Sequence, residues 1–228
     1  MSTIAENIST LGERIQAAAH AAQRDPASIG LLAVSKTKPA TDLREAHAAG
    51  LTDFGENYLQ EALSKQLELA DLPLIWHFIG PIQSNKTKAI AEHFAWVHSV
   101  DRLKIAQRLS EQRPAHLPPL NICIQVNVSG EATKSGCTPE DLPALAEAIA
   151  ALPNVRLRGL MAIPEPTDDL NEQNAAFATV NSLQRSLKLP LDTLSMGMSH
   201  DLEAAIAQGA TWVRIGTALF GARDYGQP

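Results

Sequence analysis

An α/β fold, a single (β/α)8 TIM barrel with an additional N-terminal helix, is the class this sequence predicts, and three observations predict it. Short apolar runs alternate with longer amphipathic stretches, the pattern of strand–helix units that build a parallel sheet. Eight such runs can be placed, which is the number that closes this kind of barrel. The length of 228 residues is one that α/β barrels reach as one domain, so residues 1–228 are expected to form a single domain.

The elements follow in order. A helix is expected over residues 3–24, where Ile4, Ile8, Leu11 and Ile15 recur on one face. Strands are expected over residues 31–35, 53–55, 76–80, 96–100, 121–128, 156–163, 193–197 and 212–216. Helical patterns lie between them at 41–49, 58–70, 102–112, 142–151 and 170–187, each followed by a Gly or Pro that stops it. The second strand is the shortest, and the barrel depends on it. The Pro-bearing stretches 113–119 and 164–167 have connection length; the first enters strand five at the barrel bottom and the second leaves strand six at the opposite face. No linker, low-complexity tract or internal repeat interrupts the alternation.

Composition narrows the function classes. Hydrophobic residues make up 45% of the chain and charged ones 19%, which suits a well-filled globular core. A net charge of −6 argues against nucleic-acid and anionic-membrane binding, both of which need a concentrated positive field. The first twenty residues lack the basic start and unbroken apolar centre of a signal peptide, and no stretch has the roughly 18 apolar residues of a membrane span. The two cysteines, Cys123 in an apolar run and Cys137 in a polar loop, do not make a disulfide framework. A cytoplasmic location is expected, with Cys123 a small buried hydrophobe and Cys137 an ordinary exposed thiol.

In such barrels function collects on the loops leaving the C-terminal strand ends. Lys36 follows Leu31-Leu32-Ala33-Val34 there. A lysine partly desolvated at that place has a lowered pKa and more free amine to attack an aldehyde, whereas a surface lysine keeps its charge in water. Ser195-Met-Gly-Met-Ser199 and Arg214-Ile-Gly-Thr217 end the last two strands. Their Ser195, Gly197, Gly216 and Thr217 supply the hydroxyl and amide donors of a phosphate site. An amine together with a phosphate cup is what pyridoxal 5′-phosphate (PLP) requires. Ser199 also reads as a helix N-cap ahead of Asp201-Leu202-Glu203. Arg214 is costly to bury without a partner. It either pairs with an acid such as Asp53 or Glu56, or donates a hydrogen bond to the pyridine nitrogen. A guanidinium there keeps its protons and leaves the ring a poor electron sink, against transaminase-like chemistry.

These residues stand in blocks that resemble the YggS-type pyridoxal phosphate homeostasis proteins, relatives of the alanine racemase N-terminal barrel. The blocks are Ala33 to Pro39, Phe54-Gly55-Glu56-Asn57-Tyr58, Trp76 to Gly80, Gln83-Ser84-Asn85-Lys86, Val97 to Asp101, Lys134-Ser135-Gly136, Gly159-Leu160-Met161, Leu194 to Ser199 and Val213 to Arg223. The resemblance implies a type III-like PLP fold with Lys36 holding the cofactor as a Schiff base and Arg214 facing the ring nitrogen. Ser195, Gly216 and Thr217, with Ser199 beside them, would hold the phosphate. It implies that Asn57, His77 and Met161 form walls, His77 being equally readable as a structural histidine, and that Lys134 is a secondary PLP site, if it is not simply an exposed loop lysine. The implied role is vitamin B6 homeostasis: a monomer that holds PLP and delivers it to apoenzymes, not an enzyme, although weak side activity is compatible. A racemase-like enzyme using Lys36 as one base is the alternative. It needs a second base, which alanine racemases take from a C-terminal domain not seen in this sequence, whose tyrosines are Tyr58 and Tyr225. An empty scaffold would leave Lys36, Arg214 and both turns unexplained.

Overall fold

The computed structural model describes residues 2–129 and 135–221. Helix α1 (Ile4–Ala21) leads into β1 (Gly30–Val34), α2 (Ala40–Ala48), β2 (Asp53–Glu56), α3 (Leu59–Glu68) and β3 (Ile75–Phe78). There follow α4 (Thr87–His93), β4 (Trp96–Val100), α5 (Leu103–Gln112), β5 (Leu120–Gln125), α6 (Leu142–Ala150) and β6 (Val155–Met161). The last elements are α7 (Leu170–Ser186), β7 (Thr193–Ser195), α8 (Leu202–Ala207), β8 (Trp212–Ile215) and α9 (Thr217–Phe220). Every neighbouring strand pair is parallel, and β8 returns to β1, with Leu32 opposite Arg214, so the sheet closes as the expected (β/α)8 barrel.

The N-terminal helix starts at a capping box, in which Thr3 accepts from Glu6 N–H while Glu6 accepts from Thr3 N–H. Its apolar face buries Leu11, Ile15 and Ala19 and packs on α8 and α9. A bidentate Arg14–Glu203 pair ties it to α8. The short second strand is present because Phe54 and Gly55 pair with both β1 and β3. Strands five and six end two or three residues earlier than the apolar runs suggest. Beyond Gln125 and Met161 one more bond on each side, from Val126 N–H to the Met161 carbonyl and from Ala162 N–H to the Ser195 carbonyl, finishes the pairing. The helix Thr87–His93 has no counterpart among the expected elements; its seven residues carry too short an apolar stripe to register.

Two irregularities re-aim side chains. On β4, Val97 pairs with Ile122 but Val100 with Ile124, so the residues His98 and Ser99 span one partner position. On β6, Leu157 pairs with Ile122 and Gly159 with Cys123, leaving Arg158 as the extra residue. Arg158 lies over the Trp96 ring at 4.7 Å and makes a bidentate pair with Asp192. Trp96 also stacks on His77 at 5.5 Å, with Trp212 edge-on to both, so aromatic rings fill the lower barrel. Functional groups are left to the opposite, C-terminal end. Among the described residues no helix is long and apolar enough to cross a membrane.

Candidate functional site

A cavity of about 380 Å³ opens at the C-terminal strand ends. It is lined by Val34 at the end of β1 and Lys36 after it, Asn57 after β2, Ile79 after β3, Ile163 after β6, Met198 to His200 after β7, and Arg214, Gly216 and Thr217 around the end of β8. Of the residues expected from sequence, Lys36, Asn57, Ser199, Arg214, Gly216 and Thr217 therefore meet at one place.

The loop carrying Lys36 is clamped on both sides. Before it, Ser35 donates its hydroxyl to the buried Glu56 Oε1 (2.6 Å), and its carbonyl accepts from Lys65 Nζ (2.7 Å). After it, Thr37 N–H donates to Glu61 Oε1 (2.6 Å), although Thr37 sits at φ 65°, a region that β-branched residues avoid. Lys65 joins the halves by donating to Glu56 (2.8 Å) and Glu61 (2.5 Å). Burial outweighs the attraction of Lys65 and pushes the Glu56 carboxyl up. Next along, Gly80 must be glycine, because a Cβ there would lie 2.3 Å from the Asn57 carbonyl oxygen. Asn57 Oδ1 is buried without a hydrogen-bond partner and is a polar atom suited to a ligand.

Arg214 is 5% exposed and does not pair with Asp53 or Glu56. Its NH1 donates to the Ser195 carbonyl (2.6 Å) and Ser195 Oγ (3.0 Å), and its NH2 to the Ala162 carbonyl (3.0 Å). Burial pulls the guanidinium down to about 10, which still leaves it charged at neutral pH. These bonds fix the plane of the fork at the cavity floor.

Three expected wall or phosphate residues lie deeper than the cavity. Ser195 is fully buried, its hydroxyl between Arg214 and His98 Nδ1 (2.7 Å), because it is still a strand residue; the turn that reaches the cavity begins at Met198. Met161 is fully buried with Trp96 and Cys123. His77 is fully buried too, bonded to Asp53 and His98, and does not wall the cavity. Ser199 is not the N-cap of α8: that position is Asp201, whose carboxylate accepts from Met198 N–H (2.6 Å) and shapes the turn. Cys137 is buried, not exposed, since its backbone pairs alongside Val126, and burial raises its thiol to about 11; Cys123, buried as expected, is raised to about 12. Lys134 lies outside the described residues. Sequence reasoning missed Ile79, Ile163 and His200 at the cavity. Ile79 directly follows β3, Ile163 lies two residues past β6 and His200 follows Ser199, positions that signal the site.

The sequence profile of the alanine racemase N-terminal domain matches residues 3–224. A pyridoxal phosphate homeostasis protein of Pseudomonas aeruginosa is 78% identical over 228 residues, covering 100% of this chain and 99% of its own length. The chain belongs to the pyridoxal phosphate homeostasis protein family. Its Escherichia coli member is 53% identical over 231 residues, covering 99% of both chains. Among solved structures, PipY of Synechococcus elongatus with PLP bound is 42% identical with a TM-score of 0.84, covering 96% of this chain and all of that one. Alanine racemase of Corynebacterium glutamicum matches in fold, with a TM-score of 0.68 at 18% identity, over 99% of this chain and 62% of that one.

Proposed function

We propose that this chain binds PLP at the barrel mouth, with Lys36 as its covalent anchor, and acts in PLP homeostasis by holding the cofactor and yielding it to apoenzymes. The observation that carries the reading is the convergence of Lys36, Arg214, Ser199, Gly216 and Thr217 on one cavity. The residues fit the group: about 380 Å³ lies within the range of small-molecule sites, and Asn57 Oδ1 offers an unused acceptor. The homeostasis name of the relatives and the PLP bound to PipY support it.

When bound, PLP supplies an aldehyde that condenses reversibly with a neutral amine, with loss of water. Lys36 presents that amine from a loop held at Ser35 and Thr37, so the backbone that carries it is already ordered before binding. Arg214 would face the ring nitrogen and keep its own protons, which disfavours carbanion chemistry. The Thr217 hydroxyl and the Gly216 and Ser199 turns would hold the phosphate. Gly216 has no room for a side chain there without crowding, as a Cβ would stand 3.3 Å from the Val34 carbonyl oxygen. Val34, Ile79 and Ile163 give the cavity an apolar wall for the ring to rest against. The protein works as a cytoplasmic monomer without turnover as its main role, and Lys134 is a secondary PLP contact.

The test is titration of the purified protein with PLP, beside Lys36→Ala, followed by mixing the loaded protein with a PLP-requiring apoenzyme and with alanine enantiomers. A visible band absent from Lys36→Ala, reactivation of the apoenzyme and no stereospecific turnover are expected. Brisk racemisation would move the chain to the enzyme class.

A further inference from the structure

A file of polar side chains runs through the barrel interior from its bottom to the cavity floor. Asp53, the first residue of β2, is at the end of the barrel opposite the cavity with its side chain 18% exposed. Its Oδ1 is 2.9 Å from His77 Nε2; His77 Nδ1 is 2.9 Å from His98 Nε2; His98 Nδ1 is 2.7 Å from Ser195 Oγ; and Ser195 Oγ is 3.0 Å from Arg214 NH1. The two imidazoles and Ser195 are wholly buried.

The two ends decide every proton between them. A carboxylate only accepts, so His77 carries its hydrogen on Nε2 and offers Nδ1 as acceptor. His98 then donates from Nε2 and accepts at Nδ1 from the Ser195 hydroxyl. Ser195 Oγ in turn accepts from Arg214, which can only donate. All four bonds point the same way, from Arg214 to Asp53, so each strengthens the next in a low-dielectric interior. The β4 irregularity is what puts His98 in line with its neighbours on β3 and β7.

We propose that Asp53, His77, His98 and Ser195 are positioning residues for the PLP site: a directed hydrogen-bond chain that sets the pose of Arg214 at the cavity floor from the far end of the barrel. The role rests on the cofactor reading above only for what Arg214 faces; the chain itself stands on the distances. Without the Asp53 carboxylate nothing fixes the His77 tautomer, and the alternative tautomers leave Ser195 Oγ receiving two N–H donors with its own hydrogen undirected. Arg214 would keep its carbonyl bonds to Ser195 and Ala162, while its NH1 bond to Ser195 Oγ would have to share that oxygen with the His98 N–H and hold NH1 less firmly.

Two measurements test the chain. Imidazole nitrogen NMR on the wild-type protein at pH 8 should find His77 and His98 neutral with the hydrogen on Nε2 in both. A hydrogen on Nδ1 of either ring, or a charged ring, would overturn the assignment without any variant needing to fold. The second is a double-mutant cycle with Asp53→Ala and Ser195→Ala, reading the PLP dissociation constant and the wavelength of the bound visible band well below each variant's Tm. Each single change should weaken binding roughly three- to tenfold and move the band, with the double no worse than the poorer single. Asp53→Asn, whose amide oxygen still accepts from His77, should restore most of the affinity. A lowered Tm with unchanged band and affinity, or fully additive losses, would reduce these residues to scaffold. If the wild-type protein gives no band, the cofactor reading fails, while the tautomer result still judges the chain.

Discussion

His77 and His98 both sit below the ordinary imidazole pKa of 6.5, and for each burial is the largest cause; at His98 the neighbouring His77 and the Arg214 charge act in the same direction, while Asp53 opposes the shift at His77. In the unfolded chain both take up a proton near pH 6.5, whereas in the fold they do so only at lower pH. Because the unfolded state then binds more protons, stability rises with pH across that window: the contribution is full above about pH 6.5 and is lost as pH falls toward the folded values. Glu56 works the other way just above pH 4.5, since its folded pKa is raised, but it is one group against two. The urea midpoint is therefore expected to be lower at pH 5.5 than at pH 7.5, and a flat profile between them would contradict neutral buried imidazoles. At this scale the sequence is informative about place: Lys36 and Arg214 line the cavity, as their positions at strand ends imply. Ser195 and Ser199 read alike because both belong to one short motif, and only the point at which β7 ends decides which serine lines the cavity. The partners of Arg214, Ser195 on β7 and Ala162 just past β6, leave no mark near it in sequence.

At the scale of elements, the barrel's weak places are its irregular ladders. Gly159 follows the extra residue of β6, and a Cβ there would lie 1.7 Å from the Thr193 carbonyl oxygen and 2.7 Å from Gln184 Oε1. Gln184 Oε1 accepts from Leu160 N–H at 3.0 Å, so the same substitution would also disturb the α7 contact. Gly159→Ala should cost more than about 3 kcal/mol, because the obstacle is backbone with no room to yield. Chemical denaturation measures this directly, and a loss below about 1 kcal/mol would mean that β6 and β7 are not paired in this register. The alternation of strands and helices was readable because apolar periodicity is a local signal. The β4 and β6 irregularities were not, since a register shift is a relation between two strands and neither sequence carries it alone.

For the whole molecule, the barrel has two unlike ends. Rings of Trp96, His77 and Trp212, with Arg158 over Trp96, fill the lower interior, while the cavity opens where the strands finish. A closed parallel sheet makes this division, because all eight strand ends that carry loops toward the cavity point the same way. The central claim is that Lys36 is the residue that anchors PLP in this mouth. Borohydride reduction of the PLP-loaded protein, followed by proteolysis and mass mapping, tests it most directly. A stable pyridoxyl phosphate mass on the peptide containing Lys36 is the predicted result. Label confined to other lysines, or absent from all of them after loading, would contradict it.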